Sequence, residues 1–249
     1  MAGLRETLLG PPTAFGTWIA CDSTVACETM GRAGYDAVAV DLQHGAVTLA
    51  SLLPVLQTFD ATGTPALVRV PWCDPPTLMR VADLGAAGVI VPMVNSAADA
   101  RTAVAAVRYP PRGIRSFGPV RQWYGAGEGH HDCLCIAMIE TREALDNLAA
   151  IAATPGVDGL LVGPVDLALS LGHELSLDMP AAVLDAIATV ARACGDHGLI
   201  CASVSFGPAN AALQLEAGVT FLTSGSDTMF LRKGAAEDLA ALRRLGHGL

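Results

Sequence analysis

Polar side chains capable of chemistry stand where short apolar runs of this sequence end. The run VAVDLQHG passes from valine and alanine into an acid, an amide and an imidazole, and other runs end in an arginine or an acid. The residues concerned are Asp41, Gln43, His44, Arg69, Glu140 and Asp166. If these runs are parallel strands of one α/β domain, their carboxyl ends meet on one face, where such domains build active sites.

Glu140 and Asp166 follow successive predicted strands, so their carboxylates are expected to be neighbours. Two carboxylates with open positions around them suit a hard divalent cation such as Mg²⁺ or Mn²⁺, because these ions take oxygen ligands and keep room for water or substrate. Either acid alone is equally compatible with capping the helix after its strand. The pair, with an arginine and a histidine at other strand ends, favours a metal site.

Arg69 and His44 each allow a structural and a chemical interpretation. An arginine within an apolar strand needs a partner, because an unpaired buried charge is costly, and Glu140 or Asp41 would provide one. Alternatively, its guanidinium holds a carboxylate or a developing oxyanion. His44 is a candidate general base, since imidazole changes protonation near neutral pH, although a lone histidine is often structural.

Eight short apolar runs, bounded by glycine, proline or aspartate, predict the strands that position these groups. They cover residues 15–21, 36–42, 65–71, 88–94, 133–140, 158–163, 199–206 and 218–223. The runs are rich in valine, isoleucine and leucine, as buried parallel strands are, and helical stretches separate them. Eight such units in 249 residues predict a single (β/α)8 TIM-barrel domain over residues 1–249, with a doubly wound sheet as the alternative.

One connection departs from this alternation. Residues 111–132 form a long glycine-rich segment between the fourth and fifth predicted strands. Long loops in compact domains are commonly functional. An ordered surface excursion is the alternative interpretation.

The composition excludes several classes of protein. A formal net charge of −9 without a dense basic run argues against binding nucleic acid, and no apolar run has the length of a membrane span. The N-terminus lacks the continuous apolar core of a signal peptide. Seven cysteines without a zinc-like spacing suit a reducing cytoplasm better than a disulfide framework. We therefore expect a soluble intracellular protein, located in the cytoplasm.

Several motifs, taken in order, resemble a known family. DLQHG, RVP, DLGAAGVIVPMV, YPPRGIRSFGP, MIETREALDNL and GVDGLLVGPVDLALSLG occur as in the 4-hydroxy-2-oxoheptanedioate aldolase family, over nearly the whole chain. IET followed by GPxDL is the more specific part. The resemblance implies a metal-dependent (class II) pyruvate aldolase of the pyruvate/phosphoenolpyruvate barrel superfamily. It also implies Mg²⁺, Mn²⁺ or Co²⁺ as cofactor, and a homohexamer built as a trimer of dimers that exchange their C-terminal helices.

The resemblance implies a role for each matching residue. Glu140 and Asp166 resemble the metal ligands. Arg69 resembles the group that stabilises the enolate, and His44 resembles the catalytic base. The backbone of Val165 and Asp166 resembles the seat for the carboxylate of the 2-oxoacid.

Asp83 resembles the acid that, in this family, tunes the histidine of a neighbouring subunit. A geometric argument points the same way. The helix after the third strand runs away from the strand ends that form the active site, so an acid late in that helix can reach His44 only in another chain. A plain surface acid at a helix end is the alternative.

Two positions depart from the family pattern. Gln43 stands where the compared member has an acid, and an amide can hydrogen-bond a metal-bound water but cannot accept its proton. Strand alternation would place Asp41 and Gln43 on one face, toward the water shell of the metal. Met138 stands where that member has a glutamine that contacts substrate. Both changes bear on the range of donors and acceptors rather than on the metal site.

Together these residues predict a reversible aldol addition of pyruvate or hydroxypyruvate to an aldehyde, giving a 4-hydroxy-2-oxoacid. Lys233 is the one lysine and falls in the last helical stretch, which argues against a Schiff-base aldolase. One alternative is an acyl-CoA ester lyase of a related barrel, although no basic cluster clearly supplies a nucleotide site. Another is a ligand-binding barrel that has lost catalysis.

Overall fold

Eight parallel strands close into a barrel, with helices in the connections between them. The computed structural model describes residues 3–118, 121, 133–174, 176 and 178–246, so most of the predicted long connection, namely 119–120 and 122–132, lies outside the described residues. The strands are β1 (Ala14–Ile19), β2 (Ala37–Asp41), β3 (Ala66–Arg69), β4 (Gly88–Val91), β5 (Leu134–Ile139), β6 (Gly159–Val162), β7 (Ile200–Ser205) and β8 (Phe221–Ser226). The helices are α1 (Leu4–Leu9), α2 (Thr24–Gly31), α3 (Leu52–Thr62), α4 (Pro75–Asp83), α5 (Ala97–Val107), α6 (Arg142–Asp146), α7 (Leu148–Ala152), α8 (Pro164–Ser170), α9 (Ala181–His197), α10 (Pro208–Glu216) and α11 (Asp227–Gly246).

The order of the strands around the barrel is their order in the chain, and β8 pairs with β1 to close it. Each predicted apolar run overlaps one observed strand. The predicted (β/α)8 TIM barrel is therefore confirmed, and the doubly wound sheet is excluded. The register places Asp41 at the end of β2 directly beside Arg69 at the end of β3.

Alternate residues of each strand point to two different cores, because successive side chains of a strand face opposite ways. One set fills the barrel interior and includes Ala39, Leu67, Ile90, Ile136, Met138, Leu161 and Phe221. The other set packs against the surrounding helices and includes Val40, Val68, Val89 and Val162. Leu8 of α1 is fully buried in the interior cluster. The N-terminal helix therefore packs onto the interior core.

The last helix stays largely outside the body of the barrel. Nearly all residues of α11 are exposed, including Leu231, Leu242 and Leu245. Its first residue, Asp227, is buried and accepts hydrogen bonds from the backbone N–H groups of Ala20 and Cys21, so the helix is anchored at its first turn. Neither α11 nor any other helix in the described residues combines the length and apolarity needed to cross a membrane.

Candidate active site

The ends of β2 and β3 carry a hydrogen-bonded ion pair. Arg69 donates from Nε to Oδ1 of Asp41 at 2.9 Å and from Nη2 to Oδ2 at 2.7 Å. The guanidinium also lies over the ring of Trp18 in β1, 4.6 Å from the centroid, and Trp18 Nε1 donates to Oγ1 of Thr223 in β8 at 3.0 Å. Two-point pairing and a cation–π contact thus fix the plane of the guanidinium, which is the arginine geometry suited to holding an anionic group.

The carboxylate of Asp41 is held in its charged form. Burial alone would raise its pKa, but the hydrogen bond and charge of Arg69, with the backbone N–H groups of His44 and Gln43, hold the pKa below its ordinary value. These N–H groups donate to Oδ1 at 3.2 and 3.0 Å, respectively. Asp41 therefore serves as a counter-ion and also turns the chain at the end of β2.

This turn changes the expected placement of Gln43 and His44. Strand alternation predicts that Gln43 lies on the same face as Asp41. This prediction assumes that the strand continues to Gln43, which is wrong, because β2 ends at Asp41. A Cβ at Gly45 would stand 2.4 Å from the carbonyl oxygen of Asp41, so only glycine permits this tight turn. His44 is exposed. Oε1 of Gln43 is buried and has no hydrogen-bond partner among the described residues.

Glu140 directly follows β5 and is buried. Its Oε1 accepts a hydrogen bond from the backbone N–H of Met93 at 2.7 Å. Its Oε2 lies close to Gly163, where an added Cβ would stand 2.8 Å from that oxygen. Burial raises the pKa of Glu140, the Met93 N–H opposes the rise, and the charge of Asp166 adds to it. A cation beside these two acids would remove this electrostatic cost.

Val165 and Asp166 lie in the first turn of α8, immediately after β6. Asp166 is exposed and Val165 is half-buried. The charge of Asp166 raises the pKa of Glu140, so the two acids are close enough to interact electrostatically. Their all-oxygen donor set fits a hard divalent cation. In the part of the chain that the structure describes, no group of three or more histidines, cysteines or acids converges on a metal position, and an ion held by two carboxylates keeps positions for water or substrate.

A cavity of about 970 Å³ opens at the strand ends. The predicted site residues in its wall are Asp41, Arg69, Met138, Val165 and Asp166. Met138 of β5 is buried in the barrel interior. The wall also includes Phe206, Pro208, Met229, Phe230 and Lys233, from the segments around α10 and α11. The one lysine of the chain therefore lines the cavity, so its position in the last helix does not by itself argue against a Schiff-base aldolase, as the sequence suggested; its Nζ lies 3.8 Å from Oε1 of Glu237. Within the described residues, Gln43, His44 and Glu140 are not part of this wall, although the Glu140 carboxylate lies against Gly163, which is. The volume suits a small-molecule substrate.

Asp83 lies apart from this cavity as the last residue of α4. The buried side chain of Arg115 donates to Oδ1 of Asp83 from Nη2 at 2.7 Å and from Nε at 3.1 Å. The same guanidinium lies 4.6 Å from the centroid of the Tyr109 ring. An acid at the C-terminal end of a helix is opposed by the helix dipole, and Arg115 offsets that cost. Asp83 is thus a positioned carboxylate with 20% of its side chain exposed.

Sequence reasoning alone does not single out three residues that shape this site, namely Trp18, Met93 and Gly163. Alternation along β1 offers a signal for Trp18, because it places the indole on the interior face with Ala14. Met93 contributes a backbone N–H and Gly163 contributes the absence of a side chain. Neither contribution can be read from residue type.

Comparison with known proteins gives a consistent result. The family model described as HpcH/HpaI aldolase/citrate lyase matches residues 14–234. A hydroxypyruvate/pyruvate aldolase of Rhizorhabdus wittichii is 39% identical over 246 residues, covering 95% of this chain and 96% of that protein. A 4-hydroxy-2-oxo-heptane-1,7-dioate aldolase of Klebsiella pneumoniae is 36% identical over 248 residues, covering 95% and 92%.

The structural similarity is equally extensive. The crystal structure of an HpcH/HpaI aldolase/citrate lyase family protein from Burkholderia cenocepacia matches with a TM-score of 0.86 at 30% identity, covering 96% of this chain and 98% of that one. The resemblance drawn from the sequence motifs is therefore confirmed.

Proposed function

The chain belongs to the HpcH/HpaI aldolase/citrate lyase family, a family of lyases, and we propose that it is a divalent-metal-dependent 2-oxoacid aldolase. The proposed reaction is the reversible addition of pyruvate or hydroxypyruvate to an aldehyde, giving a 4-hydroxy-2-oxoacid. One observation carries the proposal. A single cavity brings Arg69, Met138 and Asp166 together, and the Glu140 carboxylate lies against Gly163 in its wall.

Glu140 and Asp166 would hold the cation, which we propose to be Mg²⁺, Mn²⁺ or Co²⁺. When bound, the ion would supply positive charge that polarises the keto group of the 2-oxoacid. The backbone of Val165 and Asp166 would seat the carboxylate of that substrate. Met138 is apolar and adaptable, and it would contact the donor from the floor of the cavity.

Arg69 would stabilise the negative charge that develops as a proton leaves C3 of the 2-oxoacid. Its bonds to Asp41 use Nε and Nη2, so Asp41 fixes the guanidinium without engaging Nη1. His44 would take the C3 proton, directly or through a water that Gln43 orients. The enolate carbon would then attack the aldehyde carbon, and the proton would return to the new hydroxyl oxygen. In the opposite direction the same groups would cleave the bond between C3 and C4.

Asp83 would act on the His44 of a neighbouring subunit. His44 is exposed and Asp83 is partly exposed, as a contact between copies of the chain requires.

We further propose a single-domain subunit and a homohexamer of three dimers in which α11 packs on the partner. The exposed leucines of α11 and the exposed Phe15 on β1 would be buried by that exchange.

A cytoplasmic location completes the proposal. No disulfide joins the cysteines, all of which lie within the described residues, and this supports a reducing compartment.

A retro-aldol assay that follows pyruvate release, with and without a chelator, tests the function. Activity should be lost on rigorous cation removal and should return when Mg²⁺ or Mn²⁺ is added. Full activity without any cation would refute the mechanism.

Replacing Arg69 with Ala should reduce turnover far more than it reduces cation affinity. Tight cation binding with no turnover of any pair of 2-oxoacid and aldehyde would instead favour a ligand-binding barrel.

A further inference from the structure

The loop between β4 and α5 holds an uncommon backbone conformation at the edge of the site. Met93 has φ of 55°, and no other non-glycine residue in the described part of the chain has positive φ. This left-handed region is disfavoured for residues with a Cβ, so it persists only where the surroundings enforce it, often at functional sites. The N–H of Met93 is the group that donates to Oε1 of Glu140 at 2.7 Å.

The surroundings do enforce this conformation. Val94 is fully buried. The carbonyl oxygen of Asn95 accepts a hydrogen bond from Nδ2 of Asn147 at 2.8 Å, and its Oδ1 accepts one from the hydroxyl of Thr141. The N–H of Asn95 donates to Oδ2 of Asp99 at 3.1 Å. The loop is therefore fastened to the segment that follows Glu140 and to its own helix, and these bonds restrain the backbone two residues after Met93.

The N–H of Met93 donates to one of the two carboxylate oxygens of Glu140. It engages Oε1 of Glu140, whereas Oε2 is the oxygen close to Gly163, a residue in the wall of the cavity. A carboxylate with one oxygen fixed has little freedom to rotate, so the direction of the other oxygen is set. Neighbouring hydrogen bonds of this kind orient metal ligands and raise metal affinity.

We propose that Met93 is a positioning residue for the cation site, whose left-handed backbone aims its N–H at Oε1 so that Oε2 of Glu140 stays directed to the cation. This inference rests on the proposed function, since it takes Glu140 as a cation ligand. The backbone conformation at residue 93, and not the methionine side chain, is the essential feature.

Two substitutions separate the backbone from the side chain. Met93→Asn removes the apolar side chain but keeps a residue that tolerates the left-handed region. Met93→Ile keeps apolar bulk, but a β-branched residue resists that region strongly. The dissociation constant for Mn²⁺ alone, measured on each variant by electron paramagnetic resonance of the free ion, is the readout. It requires neither substrate nor turnover.

Met93→Ile should weaken Mn²⁺ binding by about 10–100-fold, as expected when a group that orients a metal ligand is lost. Met93→Asn should stay within about threefold of the wild type, because its backbone can keep the same φ. Equal losses in both variants, no loss in either, or a loss confined to Met93→Asn would overturn the proposal.

A second measurement covers the case in which Met93→Ile does not fold. Replacing the amide of residue 93 with an ester deletes the N–H and leaves the side chain unchanged, and it should also weaken Mn²⁺ binding about tenfold or more. Unchanged affinity in the ester variant would overturn the proposal. Failure of the wild-type protein to bind Mn²⁺ at all would instead count against the proposed metal-dependent function, so the two failures are distinguishable.

Discussion

Asp41 and Arg69 end adjacent strands and meet side by side in the barrel, with only 9% and 12% of their side chains exposed, respectively. The pair joins the fold to the proposed chemistry. The carboxylate compensates a buried positive charge, and the same two bonds fix the plane of the guanidinium at the cavity. A change at Asp41 is therefore expected to alter both stability and turnover.

Replacing Asp41 with Asn should destabilise the protein by about 3 kcal/mol, because it leaves the Arg69 charge buried without a counter-ion. Denaturant unfolding at neutral pH measures the loss. Asp60→Asn is the matched control. The Asp60 side chain is 59% exposed and pairs with Arg121 at the surface, so its loss should cost less than about 1 kcal/mol. Equal losses of unfolding free energy in the two variants would show that the buried Asp41–Arg69 pair contributes no more to stability than an exposed pair.

The contribution of Asp41 to stability should depend on pH. Its pKa in the folded chain lies below the ordinary value of 3.8, so the stabilisation is complete above that value and is lost as the pH falls through the lower, folded-state pKa. The difference in unfolding free energy between the wild type and Asp41→Asn should be constant from about pH 8 to pH 5 and should shrink below about pH 4. A difference that grows on acidification would contradict this assignment.

Replacing Gly163 with Ala should weaken cation binding by about 10–100-fold. The backbone at Gly163 has φ of −91° and accepts alanine, but the added methyl would stand 2.8 Å from Oε2 of Glu140 and 3.1 Å from Cε of Met138. Displacement of Oε2 is the expected cause of the loss, and Mn²⁺ titration measures it. Unchanged affinity would show that the Glu140 carboxylate does not depend on this close approach.

Gly195→Ala supplies the control for that substitution. Gly195 lies in α9, and a Cβ there would meet nothing within 4 Å. Because glycine in a helix costs conformational entropy, the change should raise stability by up to about 1 kcal/mol. Cation affinity should not change.

The strands and the four charged groups at their ends follow from the sequence for a simple physical reason. A buried parallel strand must be apolar along its length, so an acid or arginine at its end stands out, as Asp41, Arg69, Glu140 and Asp166 do. Contributions made by the backbone leave no such mark. The left-handed turn at Met93 depends on how neighbouring loops are fastened, and the residue type gives no sign of it.

Two further features show where pattern reasoning stops. Alternation fails at Gln43 because the Asp41 carboxylate accepts the N–H groups of Gln43 and His44 and the strand ends at Asp41. Asp83 looks like an ordinary acid at a helix end until Arg115, which is distant in sequence, is seen to hold it. Both features depend on hydrogen bonds accepted by a carboxylate side chain, and periodicity carries no information on such bonds.

Replacing Gln43 with Glu should raise the rate of C3 proton exchange in pyruvate by on the order of 10²-fold, because a carboxylate can accept a proton through the water that we propose residue 43 orients, and an amide cannot. Oε1 of Gln43 is buried without a partner among the described residues, so the new charge is incompletely solvated and remains basic. Hydrogen–deuterium exchange at C3, followed by NMR, measures the effect without an aldehyde. Gln57→Glu, at an exposed position of α3, makes the same charge change and should leave exchange unaltered. A slower rate in Gln43→Glu would show that the amide itself is required.

Mixing two inactive variants tests whether Asp83 serves a neighbouring subunit. His44→Ala and Asp83→Asn should each lose most activity. If the two groups act from different chains, random co-assembly of equal amounts places both native residues at about one quarter of the sites, and activity should return to about that fraction of the wild type. If both acted within one chain, no site in the mixture would hold both, and activity would not return. Arg115→Met should imitate Asp83→Asn in this mixture, because it releases the carboxylate that Arg115 holds. Recovery with Asp83→Asn but not with Arg115→Met would indicate that Arg115 supports folding and not the position of Asp83.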